Sequence, residues 1–181
     1  MVSFRQKYRR AGEIIIVLNL TAATISTSCA QQNSKPLRMM HNFSPIVGIA
    51  RVIDGDSIEI AGQTIRIEGI DAPEFKQTCE RNGAAWACGV EAAAMLRSII
   101  RERPVSCAPV GKDRYGRMLG RCNVGTDELN ALMVRRGFAL SFTKYSVRYA
   151  PEETAAKAER AGLWSGTFVE PWNWRKSKAG N

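Results

Sequence analysis

The stretch IVGIARVIDGDSIEIAGQTIRIEGIDAPE, residues 46 to 74, decides the fold. Two turn signals divide it: Asp54-Gly55-Asp56 and Ala61-Gly62-Gln63. Ile46 to Ile53 alternates loosely and reads as a strand. Ser57 to Ile60 reads as a second, with Ile58 and Ile60 on one face. Thr64 to Ile70 sets Ile65, Ile67 and Gly69 against Thr64, Arg66 and Glu68, the period-two pattern of a half-buried third strand. Ile70 breaks that alternation, as expected where a strand leaves its sheet.

Downstream, Phe75 to Gly89 reads as a loop and Val90 to Arg103 as a helix that Pro104 stops. Val105 to Val110 and Met118 to Val124 are strands around a polar turn. A second helix is expected from Glu128 to Arg136 with Gly137 as its C-cap. Pro151 opens a third, Glu152 to Ala161, which Gly162 ends. The predicted order is three strands, a helix, two strands, then helices. That order suits an α+β, mainly β chain: a small closed five-stranded barrel of the OB type with three helices. The expected domain covers residues 46–165, and residues 166–181 form a tail in which Trp172 and Trp174 pack back on the barrel.

The first thirty residues read as something other than fold. Arg5, Lys7, Arg9 and Arg10 form a positive head, and an apolar run from Ile14 to Ile25 follows. Ser28 and Ala30 then give small-x-small spacing, the layout of a secretory signal peptide cleaved after Ala30. Glu13 is atypical of such a segment. The alternatives are a lipoprotein anchored through Cys29 and a start at Met39 or Met40. The apolar run is short for a membrane span, so no transmembrane segment is expected in the mature chain. Residues 31–45 read as a flexible leader.

Twenty-six basic residues against 17 acidic give a net charge of +9. Loss of residues 1–30 leaves 22 against 16, or +6, so the mature chain stays basic. Such a surface attracts polyanions, nucleic acid first and anionic membrane second. The apolar and charged fractions, 45% and 24%, are those of a globular chain rather than a disordered one.

Without Cys29, four cysteines remain: Cys79, Cys88, Cys107 and Cys122. An even number in an exported chain suggests two disulfides. Cys79 with Cys88 and Cys107 with Cys122 is the preferred pairing of three, because the second pair flanks the turn at Lys112 to Gly116 and can face across a hairpin. A zinc site is disfavoured: no Cys-x-x-Cys occurs and the only histidine, His41, lies in the leader.

The chemistry-bearing residues fall into four groups. Asp54 and Asp56 flank a glycine, and paired carboxylates without histidine or thiolate suit a hard cation, calcium or magnesium. Asp71-Ala72-Pro73-Glu74 displays two further carboxylates, one able to ligate a metal while the other activates water. Arg66 lies on the polar side of the third strand. Arg117 follows Asp113-Arg114-Tyr115-Gly116. Guanidiniums make fork-shaped contacts to phosphate. Each group alone is better read as a turn, a helix start or a surface ion pair.

Their order is more specific. Asp-Gly-Asp, a strand bearing arginine, Asp-x-Pro-Glu, then Asp-x-Tyr-Gly-Arg resembles the staphylococcal nuclease family, from about Val47 to Gly162-Leu163-Trp164-Ser165. The resemblance implies an OB-fold barrel with three helices that hydrolyses DNA and/or RNA with Ca2+, leaving 3′-phosphate ends. It implies Asp56, Asp71 and the backbone carbonyl of Ala72 as metal ligands, with Asp54 in the outer shell. Glu74 takes the place of the general base, and Arg66 and Arg117 those of the phosphate-binding arginines. Arg114, Tyr115 and Tyr145 fall at substrate-contacting positions. Two departures stand out. The loop from Lys76 to Gly89 carries cysteines that the best-known member lacks, and Thr143 stands where a second stacking aromatic is expected. An exported monomer, secreted or periplasmic, is anticipated, and a non-catalytic binding module on the same fold is the competing reading.

Overall fold

The computed structural model describes residues 44–180. The expected signal peptide, the Cys29 alternative and most of the leader lie outside the described residues. Ile46–Val52 (β1), Ser57–Ile60 (β2) and Gln63–Ile67 (β3) form an antiparallel meander, with Val52 opposite Ile58 and Ser57 opposite Arg66. Ile70–Asp71 (β4) follows, then Cys79–Arg81 (β5) and Ala84–Trp86 (β6), and helix α1 spans Cys88–Ile100. Pro104–Lys112 (β7) and Met118–Val124 (β8) pair antiparallel, and β7 also pairs with β1. The sheet closes where β3 meets β8 in parallel, Ile65 opposite Met118 and Ile67 opposite Gly120. Five strands in the order β3-β2-β1-β7-β8 therefore make a closed mixed barrel.

The alternation read from the sequence fills that barrel. Ile58, Ile60, Ile65 and Ile67 point inward with no exposure, and Leu96 of α1 and Val105 join them. Asp127–Glu128 (β9) and Leu129–Arg135 (α2) follow, and Leu129 and Met133 pack on the same core. Leu140–Ser141 (β10) pairs with β4, and Ala150–Ala158 forms α3.

Three local expectations are corrected. The predicted loop from Phe75 to Gly89 contains the β5–β6 hairpin and the first turn of α1. Asn82 and Gly83 both take positive φ, 54° and 76°, which is the two-residue turn whose twist suits a hairpin. Helix α1 ends at Ile100 rather than Arg103, because Arg101 and Glu102 adopt left-handed backbone ahead of Pro104. The tail is not merely two tryptophans against the barrel. Pro171–Ala179 forms a fourth helix, α4, after a 3-10 turn at Gly162–Ser165.

Two disulfides brace the chain. Cys107–Cys122 bridges opposed residues of β7 and β8, Cα to Cα 4.0 Å, and Cys79–Cys88 ties β5 to the start of α1 at 5.7 Å. Such bridges belong to oxidising compartments.

A fully buried asparagine reinforces the closing seam. The Asn130 amide donates to the carbonyls of Glu68, at 2.8 Å, and Gly120, at 3.3 Å. Its carbonyl oxygen accepts the Cys122 N–H at 3.0 Å. It thus joins α2, β8 and the end of β3, beside the backbone bond from the Glu68 N–H to the Gly120 carbonyl at 2.9 Å. Replacing it with alanine leaves the Cys122 N–H and the Glu68 carbonyl without this partner, while Gly120 keeps the Glu68 N–H, and each unsatisfied buried group costs about 1–3 kcal/mol. Asn130→Ala is expected to lose about 3 kcal/mol of stability in urea unfolding, and a loss within error of zero refutes its role at the seam.

Candidate active site

Arg66 leaves β3 between two carboxylates. Its Nη1 donates to Asp56 Oδ1, and its Nη2 donates to Asp71 Oδ1 at 2.6 Å. Asp56 sits in the turn before β2 and Asp71 at the end of β4, so three successive elements converge on one guanidinium. The cluster is sheltered: the Asp71 side chain has no exposure and Arg66 only 15%. Asp56 Oδ2 accepts the Ala72 N–H at 2.8 Å, and the Asp54 carboxylate accepts the Asp56 N–H at 3.0 Å. Asp54, Asp56, Arg66, Asp71 and Ala72 thus form one bonded unit.

Small residues permit this crowding. A Cβ on Gly55 would lie 2.7 Å from the Ala72 methyl and 2.8 Å from that of Ala92 on α1. A Cβ on Gly89 would lie 1.8 Å from the Glu74 carbonyl oxygen. The Asp-Gly-Asp turn and the Glu74 backbone therefore rest directly against α1.

Burial pushes the carboxyls of Asp56 and Asp71 above their ordinary range. Arg66 opposes that rise at Asp56, and the hydrogen bond from Arg175 opposes it at Asp71.

The sequence reading missed Arg175. It projects from α4 and donates from Nη2 to Asp71 Oδ2 at 2.7 Å and from Nη1 to Asp71 Oδ1 at 3.1 Å. Nη1 also reaches Glu74 Oε1 at 2.7 Å, so Glu74 joins the cluster through Arg175. Burial disfavours the Arg175 charge, but the hydrogen bonds to Asp71 and Glu74 outweigh it and raise its pKa above the ordinary arginine value. A basic residue four places after Pro171 in a tryptophan-rich tail was the available signal.

Arg117 stands apart from the carboxylates. Its Nε pairs with Asp113 at 2.7 Å in the β7–β8 turn. Asp113 also accepts the N–H groups of Tyr115 and Arg117, each at 2.9 Å. Partial burial pushes the Asp113 carboxyl up, but these hydrogen bonds hold it below its ordinary value. Arg114 donates to the Tyr115 hydroxyl at 2.6 Å. Arg114, Tyr115, Arg117, Thr143 and Tyr145 all line one cleft of about 1310 Å³, together with Arg66, Glu74, Trp172 and Arg175. Tyr115 and Tyr145 are 68% and 70% exposed there.

The cysteine-bearing loop and the C-terminal tail meet in a second apolar cluster. Cys79, Cys88, Leu140 and Leu163 are buried in it, with Trp86, Trp164, Phe168 and Trp172 packed around them. Glu80 and Thr167 exchange backbone hydrogen bonds at 2.9 Å. Gln77, itself buried, donates to the Val169 carbonyl at 2.6 Å and accepts the Glu74 N–H at 3.3 Å. The inserted hairpin therefore seats the tail, and the tail delivers Arg175.

A closed barrel of this topology, bearing buried carboxylates and guanidiniums at a basic cleft, has the equipment for phosphodiester chemistry. Residues 64–166 match the family model described as Staphylococcal nuclease homologue, and the chain belongs to that family. Relatives named endonuclease and staphylococcal-like nuclease support a nucleic-acid hydrolase. The chain is 40% identical over 124 residues to the succinoglycan biosynthesis protein ExoI of Rhizobium meliloti, covering 66% of this chain and 65% of that one. An uncharacterized endonuclease of Escherichia coli O157:H7 is 34% identical over 138 residues, 72% of this chain and 84% of that one. The staphylococcal-like nuclease CAN1 of Arabidopsis thaliana is 32% identical over 119 residues, 64% of this chain and 34% of that one.

The contact between Gly89 and Glu74 yields a test. Gly89→Ala must push the Glu74 backbone away, and misplacement by about 1 Å can cost about 100-fold in rate. Nuclease assays should show a loss of that order with the barrel still folded by circular dichroism; full activity refutes the positioning argument.

Proposed function

We propose that this protein is an exported, calcium-dependent nuclease that hydrolyses DNA and RNA and leaves 3′-phosphate ends. The observation that carries the reading is the Asp56–Arg66–Asp71 cluster at the cleft, with Glu74 joined to it through Arg175. Membership of the family and the endonuclease names of its relatives support nuclease activity. The two disulfides favour an extracellular or periplasmic setting.

The donor set suits a hard cation. Every candidate ligand is an oxygen, and among the described residues no histidine or free thiolate stands nearby. Among the described residues no three such side chains form a ready-made cage. The carboxylates instead face guanidinium groups, so cationic charge already complements them. Asp56, Asp71 and the Ala72 carbonyl would hold the metal, with Asp54 orienting Asp56 from behind. Calcium bound there would supply Lewis-acid neutralisation of charge building on the phosphate.

The chain's own groups account for the remaining chemistry. Glu74 removes a proton from the attacking water. Arg66 and Arg117 grip the phosphate oxygens through forked hydrogen bonds and counter the charge of the pentacoordinate transition state. Tyr115 and Tyr145, exposed in the cleft, offer faces on which bases stack.

Digestion of single-stranded DNA by the purified protein tests the reading. Cleavage is expected with calcium and none with a chelator; cleavage that ignores the chelator overturns the metal dependence. Loss of a general base costs about 100- to 10,000-fold. Glu74→Gln should fall in that range while still binding DNA, and an unimpaired variant removes Glu74 from the role.

A further inference from the structure

Both oxygens of Asp71 already accept from guanidiniums. Oδ1 accepts from Arg66 and from Arg175, and Oδ2 accepts from Arg175. Arg175 also holds Oε1 of Glu74. A cation that takes Asp71 as a ligand must displace or share one of these guanidiniums.

The two arginines are not held alike. Arg66 projects from a barrel strand, pairs with carboxylates on both sides and is 15% exposed. Arg175 projects from the C-terminal helix, is 39% exposed, and among the described residues pairs with Asp71 and Glu74 alone. Helix α4 is seated independently of Arg175. Pro171 is buried, Trp172 stacks on Phe142 with centroids 5.5 Å apart, and Gln77 holds the Val169 carbonyl. Arg175 can therefore leave the carboxylates while its helix stays in place, and its guanidinium then remains beside Lys176 in the cleft.

We propose that Arg175 is an internal counter-ion that binds Asp71 and Glu74 in competition with the divalent metal. It is a positioning residue: without metal it neutralises the carboxylates and fixes Glu74, and on metal binding it yields Asp71. This rests on the calcium-dependent reading above. Because the guanidinium must be displaced, the wild-type affinity for metal is lower than the carboxylates alone would give.

Isothermal titration of calcium chloride into the wild-type protein and three variants, without nucleic acid, tests the competition. Arg175→Gln removes the competitor and should tighten calcium binding about tenfold. Arg175→Lys keeps the charge but loses the fork, so it should tighten binding by a smaller factor. It also supplies the readout if the glutamine variant folds poorly. Lys176→Gln removes the same charge from the same helix without touching the carboxylates, and should leave the affinity nearly unchanged. An equal gain in Lys176→Gln reduces the effect to bulk charge and overturns the proposal. Unchanged or weaker binding in Arg175→Gln, with wild type still binding, overturns it as well. Binding by none of the four refutes the calcium reading itself, and the competition falls with it.

Discussion

Three closely spaced segments of the barrel meet on the Arg66 guanidinium. The turn before β2, the body of β3 and the end of β4 each contribute one charge. Two carboxylates this sheltered repel each other and resist desolvation, and a lone buried charge would cost several kcal/mol. The arginine between them makes the burial tolerable. That constraint propagates outward. Asp56 must present Oδ2 to the Ala72 N–H, which fixes how the chain leaves β4. Gly55 and Gly89 must stay small so that α1 can press on both flanks.

Most of this was legible in the sequence because it is local. Period-two alternation placed β1 to β3, and Asp-Gly-Asp marked the turn between the first two. The strand-helix-strand order pointed to the barrel. The parallel pairing of β3 with β8 was not legible, since it joins residues some fifty positions apart and depends on closure. Asn130 was invisible for the same reason: its partners Glu68 and Gly120 come from two other elements. The β5–β6 hairpin was legible and was overlooked, for Asn82-Gly83 is a strong turn pair.

Arg175 illustrates a different limit. Nothing in a Pro-Trp-Asn-Trp-Arg-Lys tail indicates what its arginine touches. The contact depends on the seat built by the inserted hairpin, its disulfide and the tryptophans around Leu163. Two features that looked like separate decorations of the domain are one structural unit, and that unit supplies a charged group to the carboxylates.

The Cys107–Cys122 bridge also restricts how the barrel can open. It welds β7 to β8 covalently, so that pair of strands cannot separate while the bond lasts. The β3–β8 seam has only three paired residues, assisted by the Asn130 amide, and Arg66 sits at its middle register opposite Leu119. The seam that the bridge does not lock is therefore the one that carries Arg66. An opening that parts β3 from β8 would carry the Asp56–Arg66–Asp71 cluster, which lies wholly on the β2–β3–β4 side, away from Arg117 in the turn between the bridged strands.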